Sequence, residues 1–131
     1  LKEEIEVLKS ILNFCEAKSY KQIRLIGKSL GGIVSSYFLR ELPKKEHGRY
    51  SVVILGYITG HVDLKDFRGK ITIIQGGKDK FGNIEVVKKD LRGAESKDIS
   101  FFEIPNADHS YRDPKTKDPK YENRVVELLF H

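Results

Sequence analysis

The sequence predicts an α/β fold with a predominantly parallel sheet and helices on both faces. Segments with helical periodicity alternate with short apolar segments of strand length, and those apolar segments are nearly continuous rather than alternating. The chain has 131 residues, of which 39% are hydrophobic and 33% charged. This is enough to bury the core of one ordinary domain. No internal repeat, low-complexity tract or linker divides it, so residues 1–131 are expected to form a single domain.

The first two predicted elements are a helix and a strand. Residues 2–17 predict an amphipathic helix, because apolar side chains recur at steps of three and four: Leu1, Ile5, Leu8, Ile11, Leu12 and Cys15. Residues 22–26 (Gln-Ile-Arg-Leu-Ile) have the length and composition of a strand, and Gly27 is expected to end it.

The next two elements repeat this order. Residues 31–42 carry apolar side chains at helical spacing, and Pro43 stops the helix. Residues 51–55 (Ser-Val-Val-Ile-Leu) are an apolar, β-branched run of strand length. The connection over residues 57–69 holds no long periodic element, so it is too short for a helical lid.

Two more strands and a helix follow. Residues 70–75 (Lys-Ile-Thr-Ile-Ile-Gln) predict the third strand, which runs into a pair of glycines. Residues 83–91 predict a helix, with Gly93 as its C-terminal glycine. Residues 99–104 predict the fourth strand, broken by Pro105.

The last predicted helix starts at Asp118-Pro119, an N-cap acid followed by proline at the first position. Its buried side would consist of Val125, Val126, Leu128, Leu129 and Phe130. In parallel sheets the ligand site lies beyond the carboxyl ends of the strands. The loops that follow Ile26, Leu55, Gln75 and Ile104 are therefore the candidate site loops.

Composition excludes several classes of function. The net charge of +5 is spread along the chain without a dense basic element, so no nucleic-acid partner is expected. No apolar run approaches the ~18 residues of a membrane span, and no secretion leader opens the chain. The single cysteine, Cys15, excludes an intramolecular disulfide and a cysteine metal cluster, which favours a cytoplasmic protein. The chain has no Met and begins at Leu1, so we expect it to be a fragment.

The loop after the first strand contains the pattern G-x-S-x-G at Gly27–Gly31. This pattern demands a sharp strand-to-helix turn, which exposes the Oγ of Ser29. The N–H of Leu30 would then point to where an oxyanion forms. A phosphate loop is excluded because the glycine it needs five positions earlier is Gln22. A glycine-rich turn with an ordinary serine cap remains the alternative.

Two further loops supply an acid and a histidine. Asp79 lies in a glycine-rich loop after the third strand, and His109 lies in a short loop after the fourth. Taken singly, Asp79 could cap the following helix, and a lone loop histidine is more often a surface residue. Together with Ser29 they follow three different strands in the chain order typical of α/β-hydrolases.

Other acids and histidines leave alternatives open. Asp63 and Asp66 follow the second strand, and an acid there could reach the histidine. Asp108 precedes His109, but adjacent loop residues usually point apart. The remaining histidines are His61 in a carboxyl-end loop, His47 in a polar loop, and His131 at the end of the chain.

Four motifs together carry a family resemblance: Gly27-Lys28-Ser29-Leu30-Gly31-Gly32, Leu55-Gly56-Tyr57, Gly76-Gly77-Lys78-Asp79-Lys80-Phe81-Gly82, and Ala107-Asp108-His109-Ser110. The chain resembles the carboxyl-terminal half of an α/β-hydrolase of the compact dienelactone-hydrolase-like branch. The four motifs together are more specific, and they resemble a branch of small hydrolases, some of whose relatives are non-enzymatic subunits of chromatin complexes. The resemblance implies that Ser29 is the nucleophile, His109 the base and Asp79 its partner. Dienelactone hydrolases proper use a cysteine nucleophile, whereas Cys15 lies on a predicted helix.

These features predict a serine hydrolase, most simply a carboxylic-ester hydrolase that acts on a small acyl substrate without a metal or cofactor. The alternative is a catalytically silent interaction module with the same fold. The predicted substrate-binding residues are Lys28, Tyr57, His61, Phe81 and Tyr111.

The resemblance also implies several strands upstream of the serine, one of which would pair with residues 22–26. An upstream loop would supply the second oxyanion donor. Without that neighbour, the exposed strand edge favours self-association.

Overall fold

The computed structural model describes residues 1–130. Its helices and strands are α1 (Lys2–Phe14), β1 (Ile23–Lys28), α2 (Leu30–Glu41), β2 (Tyr50–Leu55), β3 (Lys70–Gly76), α3 (Ile84–Asp90), β4 (Ile99–Ile104) and α4 (Glu122–Leu129). Short 3₁₀ turns occupy Ala17–Ser19 and Lys44–Arg49. Among these residues no helix has the length and apolarity needed to cross a membrane.

The four strands form one parallel sheet in the order β1-β2-β3-β4. In register, Gly27 lies beside Ile54, Ile54 beside Ile73, and Ile73 beside Phe101. The predicted parallel sheet is confirmed. Because all four strands run the same way, their carboxyl ends and the loops that follow them meet at one edge.

Helices cover both faces of the sheet, as predicted. Alternate strand residues point to opposite faces and build two separate cores. The larger core packs α1, α2 and α3 against one face and includes Leu25, Val52, Ile54, Ile71 and Ile73 from the strands. The smaller core packs Val125 of α4 against Val53, Ile74 and Ile104. The Arg24 guanidinium also donates to the Leu129 carbonyl at 2.6 Å, which holds the end of α4 over β1.

Helix α1 ends three residues earlier than predicted. Its C-cap is Cys15, and Glu16 adopts a left-handed conformation with φ 54°, which turns the chain away from the helix. Only Ile5 is buried, while Ile11 and Cys15 are exposed. Leu8 and Leu12 are partly buried against the larger core, so the apolar side of the predicted amphipathic helix is covered only in part.

Helix α4 begins at Glu122 rather than at Asp118-Pro119. The Asp118 carbonyl accepts the Asp113 N–H at 2.9 Å, which closes a loop. The Pro119 carbonyl accepts the Glu122 N–H in a single turn before the helix. The proline therefore lies in the turn that leads into the helix. Val126 and Phe130, predicted as buried, are exposed.

Strand β1 continues through Gly27 and Lys28, which still pair with β2. A side chain at position 27 would have no room, because an added Cβ would lie 2.4 Å from the Gly31 carbonyl oxygen. Within residues 1–130, β1 pairs with β2 alone and forms one edge of the sheet. Ile26 is 47% exposed. Self-association through this edge stays a prediction.

Candidate active site

Ser29 is the single residue between β1 and α2, and its backbone is strained. Its φ is 53° and its ψ is −116°, a region that residues with a Cβ rarely adopt. The Ser29 N–H donates to the Leu55 carbonyl at 2.8 Å, and its own carbonyl accepts the Gly32 N–H at 2.9 Å. Close packing around Gly27 and Gly32 holds the turn: a Cβ on Gly32 would lie 2.9 Å from the Ile54 side chain.

A line of hydrogen bonds joins Ser29, His109 and Asp79. His109 Nε2 lies 2.9 Å from Ser29 Oγ, and His109 Nδ1 lies 2.7 Å from Asp79 Oδ2. The Asp79 carboxylate accepts a hydrogen bond from the Nδ1–H. In that tautomer Nε2 is the ring nitrogen that accepts a hydrogen bond from the serine hydroxyl. The Asp79 side chain is fully buried, and its second oxygen accepts the Phe81 N–H at 2.8 Å. The Ser29 hydroxyl, which is bonded to His109, can therefore be deprotonated as it attacks an electrophile.

Two contacts hold the His109 ring in this orientation. Gly56, with φ 72°, lies directly against it: an added Cβ would be 2.8 Å from the ring Cε1. Phe81 also packs against the ring in an edge-to-face arrangement, with ring centroids 4.7 Å apart. The imidazole therefore contacts both the loop after β2 and the loop after β3.

Backbone hydrogen bonds join the loop that carries Asp79 to the loop that carries His109. The Gly77 N–H donates to the Ile104 carbonyl at 2.9 Å, and the Lys78 N–H donates to the Ala107 carbonyl at 2.8 Å. At Gly76 the loops touch, since a Cβ there would lie 2.4 Å from the Asp108 carbonyl oxygen. Glycine is therefore required at position 76 by the close approach of the two backbones.

Tyr111 supports the histidine loop from within the smaller core, in place of the predicted lining role. It is 3% exposed, and its hydroxyl donates to the Ile74 carbonyl at 2.6 Å. Burial raises the pKa of this phenol above its usual value. The side chain therefore anchors the loop to β3 and is not accessible to a ligand.

Tyr57 and His61 line a different cavity, of about 220 Å³, together with Asp63 and Asp90. Ser29, Asp79 and His109 do not line it. Tyr57 is 1% exposed, and its hydroxyl donates to Asp90 Oδ2 at 2.5 Å. Burial, reinforced by this bond, raises the pKa of the Tyr57 phenol. Tyr57 therefore ties its loop to α3, in place of the predicted lining of an open pocket.

The other predicted site residues lie at the carboxyl edge. Phe81 is partly exposed beside His109. Lys28 is exposed at the end of β1. Leu30 is the first residue of α2, so its N–H has no partner within the helix. That N–H directly follows Ser29 and is available to a developing negative charge.

Two of the three alternative acids have other partners, and the third is exposed. Asp63 pairs with Arg40 at 3.1 Å, and Asp66 is exposed. Asp108 Oδ1 accepts the N–H groups of Ser110 and Arg112, each at 2.9 Å. Burial by itself would raise the Asp108 pKa, but the two amide donors and the positive charges of Lys117 and Arg112 together outweigh it, and the pKa is lowered.

The alternative histidines have no part in this arrangement. His47 is buried, and its Nδ1 accepts the Arg68 N–H at 3.1 Å, so it joins the turn before β2 to the segment before β3. His131 lies outside the described residues.

Sequence analysis missed Gln75, a fully buried amide near the end of β3. Its Oε1 accepts the Tyr57 N–H at 2.7 Å, and its Nε2 donates to the carbonyls of Tyr57 at 3.1 Å and Gly82 at 2.7 Å. The available signal was a polar amide at the end of an otherwise apolar strand, directly before the glycine-rich loop.

A parallel sheet with a strained serine between strand and helix, and an acid and a histidine on later loops, is typical of hydrolases. The family model for the alpha/beta hydrolase domain matches residues 2–129. The chain belongs to this family. The predicted resemblance is therefore confirmed at the level of the family.

Solved structures share the fold at low sequence identity. An alpha/beta hydrolase enzyme from a metagenome of lagoon sediments at Mar Chica, Morocco, has a TM-score of 0.63 and 19% identity over 96% of this chain. An alpha-beta serine hydrolase homologue from Coxiella burnetii has a TM-score of 0.62 and 22% identity over 95% of this chain. A monoacylglycerol lipase from Paleococcus ferrophilus has a TM-score of 0.64 and 14% identity over 98% of this chain.

The chain spans 67%, 54% and 74% of these three structures, respectively. No curated protein sequence matches it significantly. At these identities the likeness establishes the fold, and the chemistry has to be argued from the residues themselves.

Proposed function

We propose that the protein is a serine hydrolase that cleaves carboxylic esters through an acyl-enzyme. The observation that carries this proposal is the line of two hydrogen bonds, 2.9 Å from Ser29 to His109 and 2.7 Å from His109 to Asp79. A buried carboxylate, an imidazole and a serine on a strained turn are the groups that acyl transfer requires.

In the first half-reaction, Ser29 Oγ attacks the ester carbonyl carbon while His109 Nε2 takes the hydroxyl proton. The carbonyl π electrons move onto oxygen, and the Leu30 N–H stabilises that oxyanion. When the intermediate collapses, the bond to the alcohol oxygen breaks and His109 returns the proton to it. The alcohol leaves, and the acyl group stays on Ser29.

In the second half-reaction, His109 removes a proton from water as the water attacks the acyl-enzyme. The acid leaves, and the proton returns to Ser29. Asp79 keeps the Nδ1 tautomer and stabilises the imidazolium in both halves. Burial of its side chain keeps this carboxylate away from competing water.

The proposed substrate class is a small or surface-presented acyl group. The connection between β2 and β3 contains only turns in the described structure, so no helix from that connection covers Ser29. The partly exposed Phe81 offers an apolar surface beside His109 for the acyl or alcohol part.

The test is labelling with a fluorophosphonate probe in the protein as encoded by its gene. We expect the probe to modify Ser29, as located by peptide mass spectrometry. Ser29→Ala should lose both labelling and hydrolysis of short p-nitrophenyl esters. The exposed Ser10 on α1 provides the matched control, and Ser10→Ala should retain both. Undiminished turnover in Ser29→Ala would refute the proposal, and absence of labelling would favour the non-catalytic alternative.

A further inference from the structure

Gln75 is a buried amide whose hydrogen bonds all go to the backbones of two site loops. It is 0% exposed, although its neighbours in β3, Ile73 and Ile74, are apolar and equally buried. Its oxygen accepts the Tyr57 N–H, and its two amide hydrogens serve the carbonyls of Tyr57 and Gly82. An apolar side chain would suit the burial better, so the amide has a purpose other than filling the core.

The two residues that Gln75 bonds are each adjacent to a residue that holds His109. Tyr57 follows Gly56, which lies against the imidazole. Gly82 follows Phe81, whose ring packs edge-to-face with the imidazole. The Phe81 N–H also binds the Asp79 carboxylate at 2.8 Å. One side chain thus links the loop after β2 with the segment that carries both Phe81 and Asp79.

We propose that Gln75 is a positioning residue of the hydrolase site. It fixes the separation of the two loops, so that His109 bonds Ser29 and Asp79 at the same time. This inference rests on the proposed function, in which His109 needs both bonds. Gln75 acts through the loops and touches none of the reacting groups.

The chemistry of the amide explains why other side chains would not substitute for it. Asparagine is one methylene shorter and would not span the same gap. A glutamate carboxylate accepts but does not donate, and it would face the carbonyl oxygens of Tyr57 and Gly82. Methionine has a similar shape but makes none of the three bonds.

The first test is Gln75→Met in the protein as encoded. Because the two loops that contact His109 are no longer held together, the imidazole is positioned less well. We expect kcat to fall by about 10- to 100-fold, with KM changed less than about threefold. The matched control is His47→Leu, which removes another buried side chain that bonds two backbone groups, Arg68 N–H and the Leu42 carbonyl. That control should lower Tm and leave kcat unchanged when both are assayed well below their Tm.

The second test is the pH profile of Gln75→Glu, which keeps the size of the side chain. A protonated carboxyl still accepts from Tyr57 and donates one bond to Gly82. Burial beside carbonyl oxygens raises the pKa of that introduced carboxyl. At the acidic end of the working range, we expect the kcat of Gln75→Glu to approach that of the unmodified protein at the same pH. At alkaline pH the kcat of Gln75→Glu should fall, whereas the unmodified protein stays active. This variant also answers the question if Gln75→Met does not fold.

The third test detects the His109–Asp79 hydrogen bond by NMR and needs no activity measurement. The Nδ1 proton of an imidazole bonded to a buried carboxylate gives a strongly deshielded proton NMR signal. We expect this signal in the unmodified protein and in His47→Leu, and its loss or broadening in Gln75→Met.

The outcomes separate the two proposals. Retained kcat and an unchanged NMR signal in a folded Gln75→Met would overturn the positioning role and leave the hydrolase proposal intact. Retained turnover in Ser29→Ala would overturn the hydrolase proposal. In that case the NMR comparison still decides whether Gln75 holds His109 against Asp79.

Discussion

At position 29 we expect glycine to stabilise the protein more than alanine does, the reverse of the usual order. The φ of 53° and ψ of −116° are open to glycine, whereas any residue with a Cβ is strained there by about 1–3 kcal/mol. Both substitutions lose the 2.9 Å bond to His109, so that loss cancels in the comparison.

The magnitude follows from two opposing terms. Glycine relieves the strain of about 1–3 kcal/mol but loses about 0.5–1 kcal/mol more backbone entropy on folding than alanine. The free energy of unfolding of Ser29→Gly should therefore exceed that of Ser29→Ala by up to about 2.5 kcal/mol, with a central value of about 1 kcal/mol. For a chain of this length, the central value is a Tm difference of about 3–6 °C.

The assay is thermal and urea unfolding of both variants, followed by circular dichroism. Ser10 provides the control pair, since it lies within helix α1 and is exposed. There the usual order should hold, with Ser10→Ala more stable than Ser10→Gly by up to about 1 kcal/mol. If Ser29→Gly proves no more stable than Ser29→Ala, the turn is not strained, and the argument that a strained strand-to-helix turn presents Ser29 loses its physical basis.

Three further expectations can be checked independently. Asp79→Asn should lower kcat for ester hydrolysis by about 10²–10⁴-fold, because an amide favours the wrong imidazole tautomer. Asp63→Asn should leave kcat unchanged, and the opposite result would make Asp63 the partner of His109. Tyr111→Phe should reduce the free energy of unfolding by about 0.5–1.5 kcal/mol, since the Ile74 carbonyl loses one of its two donors and keeps the Gly56 N–H at 3.2 Å. KM should stay unchanged, and a raised KM would restore the predicted lining role. Bonds from Arg68 and then Lys44 lower the pKa of Glu95 from 4.5 to about 2, so the stabilisation by ionised Glu95 is present above about pH 4.5 and disappears as the pH falls towards 2. In pH-dependent melts, the Tm difference between Glu95→Gln and the unmodified protein should narrow over that range. A constant difference would contradict the ion pairs.

The fold was accessible from sequence because the local signals agreed with one another. The apolar runs around Val53 and Ile73 are strands that are buried on both faces, so their composition alone predicts a parallel sheet. Boundaries were less accessible. The start signal at Asp118-Pro119 failed because the Asp118 carbonyl is used by a loop bond to Asp113, a tertiary fact that no local pattern contains.

The candidate site was accessible in part. Ser29, Asp79 and His109 could be proposed because each follows a strand, and strand ends converge in a parallel sheet. The surroundings could not be proposed in the same way. Tyr57 and Tyr111 follow strands too, yet both side chains turn into the protein, where Asp90 and the Ile74 carbonyl receive their hydroxyls. Which way a loop side chain points depends on the partners available in three dimensions.

The strained backbone at Ser29 also bears on how such a protein would change over generations. Replacement of Ser29 by glycine would abolish the proposed catalysis while relieving the backbone strain. Where selection on catalysis is relaxed, an inactive descendant without this strain can therefore persist. The return path requires regaining the hydroxyl together with the strain. A fold of this kind should accordingly give rise to non-catalytic binding proteins more readily than it recovers enzymes from them.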